Sequence, residues 1–138
     1  VDTVPVALAL AQAADESAWG NSRFTLQHNS LFGVWTWEED HGVVPRRRKE
    51  GEKHLVRTYP DLRTSVRHYM HNLNVGFAYQ NFRKQRRALR LEGKPLNAMV
   101  LAGLLDRYSQ RGDAYIAEIR RIILNNGLNR LGPLQLGG

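Results

Sequence analysis

Cysteine is absent from the 138 residues, which removes disulfides, thiolate catalysis and cysteine-ligated zinc together. Long apolar runs are absent too. The longest, Val4 to Ala14, stops well short of the roughly 20 residues that span a bilayer and leads straight into Asp15 and Glu16. No glycine-rich phosphate loop, HExxH pair or GxSxG elbow occurs, so nucleotide, zinc-protease and serine-hydrolase chemistries lack their required parts. There is no internal repeat and no low-complexity linker, which leaves a single domain over residues 1–138, large enough to bury roughly two thirds of its unfolded surface. A starting methionine and a basic leader are also missing, and we expect a fragment or processed product of a longer protein.

Acidic residues are the scarcer charge: 13 Asp and Glu against 20 Lys and Arg, a net charge of +7 and a sequence pI near 10.2. Such a surface seeks polyanions, and nucleic acid, anionic lipid and wall polymer all qualify. The hydrophobic pattern predicts a mainly α domain of α+β type, interrupted once by a small β lobe. A first helix starts at Pro5, placed in the first turn, and runs through Ser17 to a stop near Trp19-Gly20; it is apolar nearly all round and so central and buried. From Leu31 to Tyr59 aromatics, valines and turn glycines predict a hairpin or three short strands. A second helix opens at Pro60-Asp61, and a third, Ala78 to Leu91, carries Arg83, Lys84, Arg86, Arg87 and Arg90 on what reads as one cationic face. Helices over Asn97–Arg107 and Asp113–Asn125 follow, the latter with Ile116, Ile119, Ile122 and Ile123 on its core stripe, before a frayed tail over Gly132–Gly138.

The least expected feature is Glu16, a carboxylate near the end of a largely apolar helix, where desolvation makes the ionised form expensive. Small residues Ser17, Ala18 and Gly20 leave space beside it, and Trp19 supplies an aromatic wall. A carboxyl held protonated near neutral pH is what a general acid needs. The competing reading is a helix-terminal glutamate that reaches solvent.

The run Gln12-Ala13-Ala14-Asp15-Glu16-Ser17-Ala18-Trp19-Gly20-Asn21-Ser22-Arg23-Phe24, followed by Asn29-Ser30-Leu31-Phe32-Gly33, resembles the signature of bacterial cell-wall glucosaminidases (glycoside hydrolase family 73); flagellar muramidase-type domains are more distant. Tyr69 with Asn72-Leu73-Asn74, Ala78-Tyr79 with Phe82-Arg83 and Arg86, and Tyr108-Ser109-Gln110-Arg111-Gly112 with Tyr115 extend the match over nearly the whole chain. The resemblance implies a lysozyme-like fold, with a central helix presenting the catalytic acid, a β lobe forming one wall of a sugar groove and helices forming the other. It maps Glu16 onto the general acid/base and makes Tyr108 the counterpart of a tyrosine that faces that acid. Two departures are visible. Asp15 stands where the family has a neutral residue, and Ser30 replaces an asparagine. Neighbouring helical side chains point about 100° apart, so Asp15 is expected to act only weakly on Glu16.

A glycosidase needs a nucleophile about 5 Å from the acid or a base about 6.5–9.5 Å away, unless the acetamido group of N-acetylglucosamine serves. The β-lobe carboxylates are Glu38, Glu39, Asp40, Glu50 and Glu52. By its position after the Leu31-Phe32-Gly33 segment, as relatives place it, Glu50 is the expected second catalytic group, with Glu52 behind it. Trp19, Phe32, Trp35 and Trp37 are candidate sugar-stacking residues, and Asn29 and Asn72 weaker contacts. His68 and His71, at i and i+3, have no third ligand at metal spacing, so neither metal nor cofactor is expected.

The function implied is an endo-acting peptidoglycan hydrolase of the bacterial periplasm or cell envelope, working as a monomer on glycan strands. A lytic transglycosylase, a nucleic-acid-binding helical domain resting on the Arg83–Arg90 and Arg46–Lys49 cations, and a wall-binding module without catalysis are the alternatives. Against the second, Glu50 and Glu52 follow the basic run and no reader motif is present.

Overall fold

Helix α1 covers Val6–Glu16. Pro5 stands one residue earlier than expected, as the N-cap, where its carbonyl accepts from the Leu8 and Ala9 amides at 3.0 and 3.1 Å. The helix ends three residues before the expected stop, because Ala18, Trp19 and Gly20 all take left-handed conformations, φ 50°, 58° and 82°. Ser17 closes the end: its hydroxyl donates to the Ala13 carbonyl and its oxygen accepts from the Gly20 amide at 2.8 Å. Leu8, Ala11 and Gln12 are fully buried, whereas Leu10 is 46% exposed, so α1 is central but not apolar-packed all round. The structure, a computed structural model, describes residues 2–131; the tail expected to fray, 132–138, lies outside the described residues.

A six-residue helix that the sequence pattern did not announce, α2 (Arg23–His28), follows. It is framed by Ser22, whose oxygen accepts from the Thr25 amide, and by Asn29 in a left-handed cap. The β lobe is three short strands, β1 (Trp35–Thr36), β2 (Gly42–Val43) and β3 (Leu55–Arg57), in the order β1-β3-β2 and all antiparallel. Trp35 pairs with Val56 and Val43 with the same Val56 from the other side.

Helix α3 (Leu62–Val75) starts on Asp61, whose carboxylate accepts from the Thr64 amide at 2.7 Å. A 3-10 turn over Phe77–Tyr79 leads into α4 (Gln80–Leu91). The uniform cationic face expected on α4 is not there. Arg83 donates to the Leu73 and Gly76 carbonyls at the end of α3, and Arg86, 4% exposed, donates to Thr3 and Asn74 and pairs with Asp2 at 3.2 Å. Arg90 also holds Asp2. These cations bolt the N-terminal segment to α3 and α4, leaving Lys84 and Arg87 outward. Helix α5 is only Ala98–Ala102, ending at Gly103 instead of running to Arg107, with the Asn97 side chain accepting from the Met99 and Val100 amides. Helix α6 (Asp113–Asn125) has the expected bounds and buries all four expected isoleucines. The architecture is mainly helical, with α1 packed on α5 and α6 and one three-stranded sheet. No helix among the described residues is long and apolar enough to cross a membrane.

Candidate active site

Glu16 is the last residue of α1, and the left-handed turn behind it prevents another helical residue from covering its carboxyl. On the other side stands Gly33, φ 61°, so close that a Cβ there would lie 3.0 Å from Glu16 Oε2. Only glycine gives both that backbone conformation and that approach. Burial first and the Asp15 charge second raise the Glu16 pKa to about 7, against the opposing effects of Arg111 and the Tyr115 hydroxyl. Asp15 itself is tied to Arg111 at 2.5 Å, and the guanidinium lies 5.1 Å from the centre of the Tyr115 ring. This ion pair joins the end of α1 to the segment carrying Tyr108, across 96 positions of sequence.

Beneath the carboxyl runs a buried polar chain. Tyr69 donates to the side-chain carbonyl of Gln12, whose amide donates to the Tyr115 hydroxyl at 2.9 Å; the same hydroxyl favours the charged form of Glu16. Gln12 is one helical turn before Glu16, so the same face of α1 presents both. Tyr108 stacks on Tyr115 (centroids 5.6 Å apart) and meets Tyr69 edge-on at 6.3 Å. Burial pushes the Tyr108 hydroxyl well up, and the Tyr69, Tyr115 and Glu16 charges add to that, which places Tyr108 within electrostatic reach of the carboxyl. The site is therefore a carboxyl that keeps its proton near neutrality, walled by tyrosines and a glycine.

A family model described as "Glucosaminidase: Mannosyl-glycoprotein endo-beta-N-acetylglucosaminidase" matches residues 2–128. The chain belongs to this glucosaminidase family. Protein bax of Escherichia coli (strain K12) is 31% identical over 115 residues, which is 83% of this chain and 40% of that relative, so the chain spans well under half of the curated protein it matches. No solved structure matches significantly.

The residues named from sequence fall into three groups within this glucosaminidase domain. Glu16, Tyr108 and the Gly33 turn converge. Trp19, 60% exposed, Trp35, 44%, and Trp37 offer open aromatic surface, Trp35 with one face stacked on His54 at 3.7 Å. Phe32 and Asn29 turn out to have structural occupations. Phe32 is 3% exposed and stacked at 4.0 Å on Tyr69, so no ring face is left for a sugar, and Asn29 caps α2 and donates to the Tyr59 carbonyl at 3.1 Å. Asn72 is half-buried on α3. Glu50 lies exposed in the turn before β3, and Glu52 faces His54 at 3.4 Å. Gln12 and Arg111 were not singled out from sequence as site residues. Two signals mark Gln12: it is a polar residue inside an apolar helix face, and it heads the run that carries the family resemblance. His68 bonds the Tyr59 hydroxyl, and burial lowers its pKa. Among the described residues no three metal-ligating side chains come together.

Proposed function

We propose that the protein is an endo-β-N-acetylglucosaminidase that cleaves β-1,4 bonds of bacterial peptidoglycan, as a monomer in the periplasm or cell envelope. The observation that carries this reading is the Glu16 carboxyl, desolvated at the open end of α1 and protonated up to about pH 7. Glu16 gives its proton to the leaving glycosidic oxygen as the bond to C1 breaks, and the resulting carboxylate then takes a proton from the water that attacks C1. Glu50 lies exposed in a turn and Glu52 faces His54, so the acetamido oxygen of the reacting N-acetylglucosamine is the better nucleophile, with Glu50 a contributor only if the lobe closes on glycan. Tyr108 and Tyr115 supply a hydroxyl-lined wall that holds the carboxyl and the sugar in register, and Trp19 and Trp35 offer stacking surfaces.

The substitution Glu16→Gln is expected to lower lysis of purified wall by about 10²–10⁴-fold, with circular dichroism unchanged; lysis at the wild-type rate would sink the reading. Glu50→Gln is expected to cost less than about tenfold, well below the loss of a general acid; a loss matching that of Glu16→Gln would restore Glu50 as the second catalytic group. A lytic transglycosylase also needs only one glutamate, and the raised pKa of Glu16 fits that chemistry as well. Mass spectrometry of digested wall separates the two: reducing N-acetylglucosamine ends support the hydrolase, and anhydro-sugar ends the transglycosylase.

A further inference from the structure

Away from Glu16, the β lobe holds a cleft of about 610 Å³. Trp37 and Leu55 give it apolar walls, Arg48 and Lys53 line it with positive charge, and Glu39 adds one negative charge. Trp37 is 66% exposed and meets Trp35 edge-on at 6.5 Å, so its ring is positioned yet largely uncovered. Arg48 is held in place by donating to the His54 carbonyl at 3.2 Å. Glu52, the carboxylate next to Lys53 in the chain, faces His54, and Lys53 enters no ion pair among the described residues. The loop that closes the cleft, residues 44–54, carries five cations, Arg46, Arg47, Arg48, Lys49 and Lys53, against Glu50 and Glu52. An uncharged sugar makes no charge-assisted contact with this lining, and Glu39 offers a partner for a cationic group that a run of phosphates lacks.

We propose that the β-lobe cleft binds the short acidic stem peptide carried by wall glycan, with Arg48 and Lys53 on its free carboxylates, Glu39 on its amine and Trp37 against its backbone. This rests on the reading of the chain as a wall-glycan hydrolase and adds to it a recognition of peptide-bearing over peptide-free strands. The lining of two cations and one carboxylate complements a peptide with several carboxylates and one amine, and charge-assisted contacts of this kind give specificity and orientation.

The test uses the Glu16→Gln protein, so that ligand is not consumed, titrated by NMR with free stem peptide, with a chito-oligosaccharide and with polyphosphate. Stem peptide is expected to shift the Trp37 indole N–H signal, and Lys53→Gln in the same background to weaken peptide binding about tenfold while leaving chito-oligosaccharide binding unchanged. An unmoved Trp37 signal, or equal peptide affinity with and without Lys53, overturns the proposal. So does polyphosphate binding as tightly as peptide, which would make the cleft a general anion site. Loss of wall lysis in Glu16→Gln alongside any of these results removes the peptide site alone; wild-type lysis by Glu16→Gln removes the hydrolase reading and this proposal with it.

Discussion

At the residue scale, Glu16 is costly to stability in proportion to its suitability for proton transfer. Its pKa is 4.5 in the unfolded chain and about 7 in the folded one, so between those values the folded chain holds a proton that the unfolded chain has released. Stability therefore falls as pH rises through that window, and the acid form that protonates the leaving group is lost above pH 7. Two outcomes follow from the one shift. Wall lysis should decline above pH 7, measured as a pH profile of kcat/KM. Glu16→Gln, which removes the buried charge, should be more stable than the wild type at pH 8 by about 1–3 kcal/mol and equal to it near pH 4; urea denaturation at the two pH values reads this, and an equal difference at both would show that the carboxyl is not desolvated. Glu16 was legible in the sequence because a carboxylate breaks an apolar helical pattern. Phe32 was misread because an aromatic beside a β lobe carries no mark of whether its face meets sugar or, as here, the ring of Tyr69 from a helix further along the chain.

Helices show both the reach and the limit of periodicity. The bounds of α6 and the start of α3 were readable because isoleucine spacing and an Asp cap are local signals. The stop of α1 was not, since Ala18 and Trp19 occupy left-handed conformations that their residue types do not favour. The face of α4 was misjudged for a different reason: the partners of Arg86 and Arg90 sit at Asp2 and Thr3, more than 80 positions away, and charge pairing at that distance leaves no trace in the run itself. It also separates two kinds of arginine on one helix. Arg86→Ala should lose about 1–3 kcal/mol because it removes a buried guanidinium together with its bonds to the Thr3 carbonyl, the Asn74 side chain and Asp2, which Arg90 still holds, whereas Arg87→Ala should stay within about 0.5 kcal/mol; chemical denaturation compares them. On α1, Gln12→Leu strips partners from two buried tyrosine hydroxyls and should cost about 2–4 kcal/mol. It should also lower kcat more than it raises KM, since the tyrosine beside Glu16 loses its anchor.

Over the whole molecule, stability is unevenly shared. The helical core gathers the fully buried large side chains, Tyr69, Tyr115, Phe82, Leu101 and Ile119 among them, while each strand of the β lobe is two or three residues long. Amide hydrogen exchange should find the lobe opening well before α1 and α6, and slow exchange throughout β1–β3 would contradict that picture. Tolerance of changed length divides along the same line. Residues may be added to the loop between β2 and β3 at little entropic cost. One residue inserted anywhere between Val6 and Asp15, however, would turn Glu16 by about 100° and carry it about 1.5 Å along the axis, away from Gly33 and Tyr115. Descent can therefore vary the composition of α1 but not its length, and aligned relatives that share this site should show gaps around the sheet and none across the first helix.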